Sequence, residues 1–182
     1  MIHSPATDLK TRKILAWSHF WDMKNVWASS ELPVELNVCI FQATCCSVLL
    51  YGCETWQLTK DMTRQLDSYA TSCYRFMLGI KRVDRVQNTR ILQLVSQEPL
   101  STTVQRRQLR WLGHTLRRPP GTLSRRYVLY NPDHGHRRRG RPRLLYTKYI
   151  QPLTGVTNLA NLDERERERM TNEPDNLHSL QS

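Results

Sequence analysis

The chain has 182 residues, 39% of them hydrophobic, and a formal net charge of +11. That length and composition suit one helical domain with tails, and the absence of any apolar run near the ~18 residues a spanning helix needs excludes a membrane as partner. The charge is local: residues 1–105 are net +2, residues 106–150 net +12 and residues 151–182 net −3, so one basic segment sits on a nearly neutral scaffold.

Ser4-Pro5 marks a helix start, because proline at the first helical position gives up no hydrogen bond. Leu9, Ala16, Trp17, Phe20, Met23 and Trp27 then recur at three- and four-residue spacing, which predicts one amphipathic helix to about Ala28. Residues 28–33 are a connector in which Ser30 can cap the next helix. Leu36, Cys39, Ile40, Ala43, Cys46, Ser47, Leu50 and Cys53 continue the periodicity, with Cys39, Cys46 and Cys53 stacked seven apart. Small thiols on an apolar face read as core. An odd count of five cysteines, an adjacent pair and an N-terminus lacking a basic-then-apolar pattern argue against a disulfide framework and for a reducing, intracellular setting.

Thr59 can cap a third helix carrying Met62, Leu66, Tyr69, Ala70, Cys73, Phe76 and Met77, and Gly79 suits the left-handed position that closes it. A polar loop, Lys81 to Arg85, follows. Asn88 can cap a short helix with Ile91, Leu92, Leu94 and Val95, and Ser101 can cap the next, which runs to about Arg118. On that helix Val104, Trp111, Leu112, Thr115 and Leu116 form a narrow apolar face. Arg106, Arg110 and Arg117 share a second face, flanked by Arg107, His114 and Arg118. Gly113 costs about 1 kcal/mol of helix propensity, which makes sense if a backbone or a phosphate passes close. Pro119-Pro120-Gly121 stops the helix. The run Tyr127-Val128-Leu129-Tyr130 has the composition of a short strand, residues 144–153 form a last short helix or extended segment, and the alternating charge of residues 163–169 marks a solvated helix or disordered tail.

Residues 106–143 hold twelve arginines, no lysine and one acid, Asp133. Such density is tolerable in water or against a polyanion, and arginine in place of lysine favours phosphate, which its planar fork grips with paired hydrogen bonds. The nucleic-acid-binding candidates are Arg106, Arg107, Arg110, His114, Arg117 and Arg118 on the helix. Arg137, Arg138, Arg139, Arg141 and Arg143 are the candidates in the loop behind it. DNA and RNA are both open, because phosphate contacts carry no sequence information. No phosphate-binding glycine loop, nucleophile elbow or zinc-protease motif occurs, and no close pair of acids is placed to hold magnesium. His134 and His136 sit among arginines that oppose a further cation. No cofactor, metal or catalytic residue is expected. Arg139-Gly140-Arg141-Pro142-Arg143 resembles the core of AT-hook peptides, narrow enough for an A·T minor groove, and the same run fits a nuclear import signal.

Several segments combine in order: Val48-Leu49-Leu50-Tyr51-Gly52-Cys53-Glu54-Thr55-Trp56, then Cys73-Tyr74-Arg75-Phe76-Met77-Leu78-Gly79-Ile80, then Arg110-Trp111-Leu112-Gly113-His114, then Gly140-Arg141-Pro142. Together they resemble the C-terminal part of the endonuclease–reverse transcriptase polyproteins of non-LTR retrotransposons, RTE-like, over about residues 10–152. Tyr146 stands where that family often has tryptophan. The resemblance implies a thumb and the basic segment behind it, without the polymerase palm or the endonuclease, and no Asp-Asp pair occurs here.

The expectation is therefore a mainly α fold, a small bundle of about four to six helices with a basic loop and a disordered polar tail. Residues 5–118 would be a helical thumb-like domain, 119–153 the arginine-rich loop and terminal segment, and 154–182 the tail. The expected role is a non-catalytic, nuclear, nucleic-acid-binding fragment whose partners are DNA or RNA and an intact reverse transcriptase in trans. Two other readings stand beside it: an AT-hook-like minor-groove protein, and a structural remnant that binds nothing.

Overall fold

The computed structural model describes residues 4–29, 31–130, 145–155, 159, 162 and 164–172. Among them all regular secondary structure is helical and there is no strand, so the fold is mainly α. The chain divides into two compact units. One comprises the described residues up to Gly52 together with Leu58–Thr103; the other comprises Cys53–Gln57 with the described residues from Val104 on.

In the first unit, α1 (Pro5–Asp22) opens as expected: Ser4 Oγ accepts the Thr7 amide at 3.2 Å. The single helix expected to about Ala28 is broken at Met23 into α1 and α2 (Lys24–Trp27). The break serves packing. Residues seven apart in a continuous helix are separated by roughly 10 Å along its axis, whereas the rings of Phe20 and Trp27 stack with centroids 5.4 Å apart and Trp27 Nε1 donates to the Phe20 carbonyl at 2.6 Å.

Helix α3 (Val34–Phe41) is entered at Pro33 without a side-chain cap; Ser30 lies outside the described residues. A π-turn at Gln42–Cys46 leads into α4 (Ser47–Leu49). The buried face here is Val38, Phe41, Cys45, Cys46, Leu49 and Leu50, while Leu36, Cys39 and Ala43 are exposed. The expected face is therefore displaced and the expected cysteine stack does not form. The stretch is apolar almost all the way round, so periodicity alone could not orient it, and the wide π-turn shifts its register. Cys45, Cys46, Cys53 and Cys73 are core residues; Cys39 is not.

Helix α5 (Lys60–Met77) follows the sequence closely. Thr59 caps it, accepting the Met62 amide at 3.2 Å, and Met62, Leu66, Tyr69, Ala70, Cys73 and Met77 are buried, while Phe76 of the expected face is exposed. Gly79 closes it at φ +66°, with its amide on the Phe76 carbonyl at 3.1 Å. Tyr69 is buried among Phe41, Trp17 and the thiols, and its hydroxyl donates to the Ala16 carbonyl at 3.0 Å. A 3-10 turn, Arg82–Asp84, precedes α6 (Asn88–Leu94). The cap of α6 is Gln87 rather than Asn88, whose side chain instead accepts from Arg75 at 3.0 Å.

Helix α7 (Leu100–Leu116) starts one residue before the expected cap. The Pro99 carbonyl accepts the Thr102 amide at 3.0 Å, and the Asp67 carboxylate of α5 accepts both the amide and the hydroxyl of Ser101 at 2.9 Å. A carboxylate from another helix thus supplies the negative charge that a helix start favours.

The second unit contains α7 from Val104, α8 (Leu123–Val128), α9 (Tyr146–Thr154) and α10 (Glu164–Asn172). Its core gathers Leu112 and Leu116 with Val128, Tyr146, Ile150, Leu159, Leu162 and Met170. The strand expected at residues 127–130 is replaced by the end of α8: the Leu129 amide bonds the Arg125 carbonyl at 3.1 Å, and one turn earlier the Arg126 amide bonds that of Thr122 at 3.0 Å. Of the two readings of residues 163–169, solvated helix or disordered tail, the helix is what forms, as α10, although it is partly buried. Met170 and Thr171 are buried, and a Cβ built on Gly113 would lie 2.5 Å from Thr171 Oγ1 and 2.8 Å from the Arg167 carbonyl oxygen. The approaching backbone that Gly113 foreshadows is α10.

Candidate nucleic-acid interface

Helix α7 is fixed from its uncharged side. Gln108 is fully buried, and its Nε2 donates to the carbonyls of Cys53 at 2.9 Å and Trp56 at 2.8 Å. Its Oε1 accepts the Tyr149 hydroxyl at 2.8 Å, and the Tyr146 hydroxyl donates to the Glu54 carbonyl at 2.8 Å. A 3-10 turn, Cys53–Thr55, is thereby stitched to α7 and α9 through neutral groups. Trp111 is half-buried, meeting Tyr146 edge-on at 5.8 Å, so it packs toward the core as its place on the apolar face implied. Gln108 was not singled out in the sequence; a lone polar residue between Arg107 and Leu109 gives no periodic signal.

The opposite side of α7 is basic. Arg110, His114, Arg117 and Arg118 are exposed. Arg117 donates to His114 Nδ1 at 2.8 Å, an imidazole nitrogen that must present its lone pair because a guanidinium only donates. Arg110, Arg117 and Arg118 make no ion pair among the described residues. Arg106 and Arg107 are half-buried. Arg107 turns toward the Cys53 thiol, whose pKa is pushed up to about 12 by burial and by Glu54, against the opposing pull of that guanidinium. The structure therefore sets Arg107 apart from the exposed group. Arg137, Arg138, Arg139, Arg141 and Arg143 lie outside the described residues, as do His134 and His136.

Two arginines that the sequence reading passed over extend this surface. Arg125 and Arg126 sit in the last turn of α8. Arg125 donates to the Arg118 carbonyl at 2.7 Å, a cation placed just beyond the C-terminal end of α7, and Arg126 is exposed. Their signal was a basic pair directly behind the turn that ends the basic helix. Between residues 106 and 130 the chain has no acidic residue at all; the nearest glutamates of this unit in sequence order are Glu54 and those of α10. The described residues contain no group of His, Cys, Asp or Glu arranged to hold a metal, and no helix among them is long and apolar enough to cross a membrane.

No family model and no solved structure matches the chain. A Caenorhabditis elegans protein named as uncharacterized and transposon-derived is similar to it, 26% identical over 149 residues that cover 79% of this chain and 53% of that protein. The chain thus spans about half the length of this relative. The likeness points to a transposable-element origin.

Proposed function

We propose that the chain is a nucleic-acid-binding piece of a retrotransposon protein, derived from the C-terminal, thumb-like region of an RTE-like reverse transcriptase and carrying out no bond chemistry. The observation that carries this reading is the exposed cationic set Arg110, Arg117 and Arg118 on α7, which a neutral buried network anchors, with Arg126 exposed on α8 and no acid in the chain between residues 106 and 130. Exposed guanidinium groups on an anchored helix can present their planar forks to phosphate. The order of the four family-like segments and the transposon-derived relative support the origin. An intact reverse transcriptase acting in trans and a nuclear location belong to the same proposal.

The test is a salt titration of duplex binding by the whole chain and by the Arg110→Ala/Arg117→Ala/Arg118→Ala variant. Each phosphate contact contributes about −0.9 to the log–log slope on duplex DNA, so the variant's slope should be shallower by roughly 2.7. Identical slopes would remove α7 from the interface, and a flat wild-type slope would remove nucleic-acid binding altogether.

A further inference from the structure

The first unit contains a second cluster of arginines, none of them on α7. Thr71, Ser72 and Arg75 of α5 line a cavity of about 220 Å³ together with Arg82, Arg85 and Asn88 from the 3-10 turn and the start of α6. Three guanidinium groups share this space and no carboxylate lines it. The nearby acids are already engaged. Asp84 turns back to accept the Lys81 amide at 2.7 Å, and Asp67 holds the start of α7. Arg82 and Arg85 are exposed and make no ion pair among the described residues. Arg75 is fixed by donating to the Val86 carbonyl and to Asn88 Oδ1, which leaves further N–H groups of its five. The Thr71 and Ser72 hydroxyls donate to carbonyls of their own helix at 2.8 and 2.7 Å, so the donors left for a ligand are guanidinium N–H groups.

Arg85 adopts φ +50°, a left-handed conformation that disfavours any residue with a Cβ. Nothing in the turn requires a side chain there, and glycine would adopt the conformation freely. An arginine in the left-handed region at the mouth of a cationic cavity is a pointer to use. The cavity adjoins a wider groove of about 760 Å³ that shares Ser68, Ser72, Arg82 and Asn88 and continues past Lys13, Trp17, Arg64 and the carboxylates Asp61 and Asp67. In that wider part Arg64 is paired with Asp61 at 3.1 Å, and Lys13 and Asp67 add one charge of each sign, so beyond Arg82 its charge is balanced. Its size falls in the range of small-molecule sites. The cleft is therefore polarised, with a small cationic end and a larger, nearly neutral body.

We propose that this cleft is a nucleotide site, the arginine-lined end taking a phosphate and the wider part its nucleoside. The ligand is a nucleoside monophosphate, either free or as the phosphorylated end of a strand; a concave pocket admits an end, whereas the side of a duplex does not enter it. The site shares no residue with the α7 surface and does not depend on the function proposed for that surface.

The experiment is isothermal titration calorimetry of the whole chain with four probes: inorganic phosphate, thymidine monophosphate, a short 5′-phosphorylated oligothymidylate and the same oligomer without its phosphate. The phosphorylated probes should bind, and thymidine monophosphate should bind more tightly than inorganic phosphate. A tighter phosphorylated oligomer identifies a strand end, a tighter mononucleotide the free form. Arg82→Ala and Arg85→Gly should each weaken binding roughly tenfold, the loss of a charge-assisted contact. Arg85→Gly should do so with an unchanged or higher melting temperature, because it relieves the backbone, which separates lost binding from lost fold. Wild-type affinity in both variants, no binding of any phosphorylated probe, or equal affinity for inorganic phosphate and the nucleotide would each overturn the proposal.

Discussion

Replacing Gly113 by alanine tests how α10 is seated. In a solvated helix the exchange stabilises by about 1 kcal/mol, alanine's advantage in helix propensity. Here the added Cβ would lie 2.5 Å from Thr171 Oγ1, 2.8 Å from the Arg167 carbonyl oxygen and 3.1 Å from the Thr171 amide nitrogen. Two of those three atoms are backbone, and the third is tied to the Arg167 carbonyl by a 3.0 Å hydrogen bond, so relief requires α10 itself to withdraw. Overpacking of this kind costs about 1–3 kcal/mol. Set against the propensity gain, the net effect should be a loss of up to about 2 kcal/mol. Urea denaturation followed by circular dichroism reads the difference directly. Thr171→Ala should recover part of the loss by removing the nearest atom, but not all of it, because the Arg167 carbonyl remains. Stabilisation near 1 kcal/mol in Gly113→Ala would refute the reasoning and detach α10 from α7.

Gln108→Leu should be the most damaging of the neutral substitutions, since it removes the buried hydrogen bonds to the Cys53 and Trp56 carbonyls and from the Tyr149 hydroxyl together. A loss of about 2–5 kcal/mol in the same denaturation assay is expected, and a loss below 1 kcal/mol would show that water replaces the amide. Asp67→Ala should cost more than Ser101→Ala, because it removes both bonds at the α7 start and leaves an unpaired amide; equal losses would contradict that ordering. Alkaline pH should destabilise the fold. Burial raises the pKa of Cys53 to about 12 and raises those of Cys73, Tyr74 and Tyr146 as well. Their stabilising contribution is complete below the unfolded-state pKa values near 9 to 10 and is lost as pH climbs toward the folded ones, at up to about 1.4 kcal/mol per pH unit per group. Stability that stays level to pH 11 would show these groups to be solvated.

Much of the helical order was readable because it is local. Ser4, Thr59 and Gly79 act at helix ends through bonds within a few residues, and α5 buries the face its spacing draws except at Phe76. What could not be read depends on partners distant in sequence. The break at Met23 exists for the Phe20–Trp27 stack, and Ser101 lost its capping role to Asp67, a residue 34 positions away. The face of α3 was ambiguous because the run from Val38 to Leu50 offers apolar residues in every direction. The packing of α10 was hidden by its charge pattern, which reads as solvent-exposed and is so at Arg165, Glu168 and Arg169. Its buried residues, Met170 and Thr171, come at the very end. The Gly113 signal was correct in kind, a close backbone approach, yet could not name which backbone.

The candidate site divides along the same line. That α7 has one basic and one apolar side follows from spacing alone, and the exposed Arg110, Arg117 and Arg118 agree with it. That Arg107 belongs with Cys53 instead is a tertiary fact, since the angular position of Arg107 on the helix is close to that of Arg118. The distinction has a consequence for how the basic surface is built. A helix carrying this many arginines without acids works against its own folding through like-charge repulsion, which the burial of Val104, Leu109, Leu112 and Leu116 opposes. Gln108 and Tyr149 add neutral hydrogen bonds on the buried side, which hold the helix without neutralising the exposed guanidinium groups. Salt bridges in that place would have given comparable anchoring at the expense of the positive field. Neutral anchoring on one side and unpaired arginines on the other together keep the surface available to an anion.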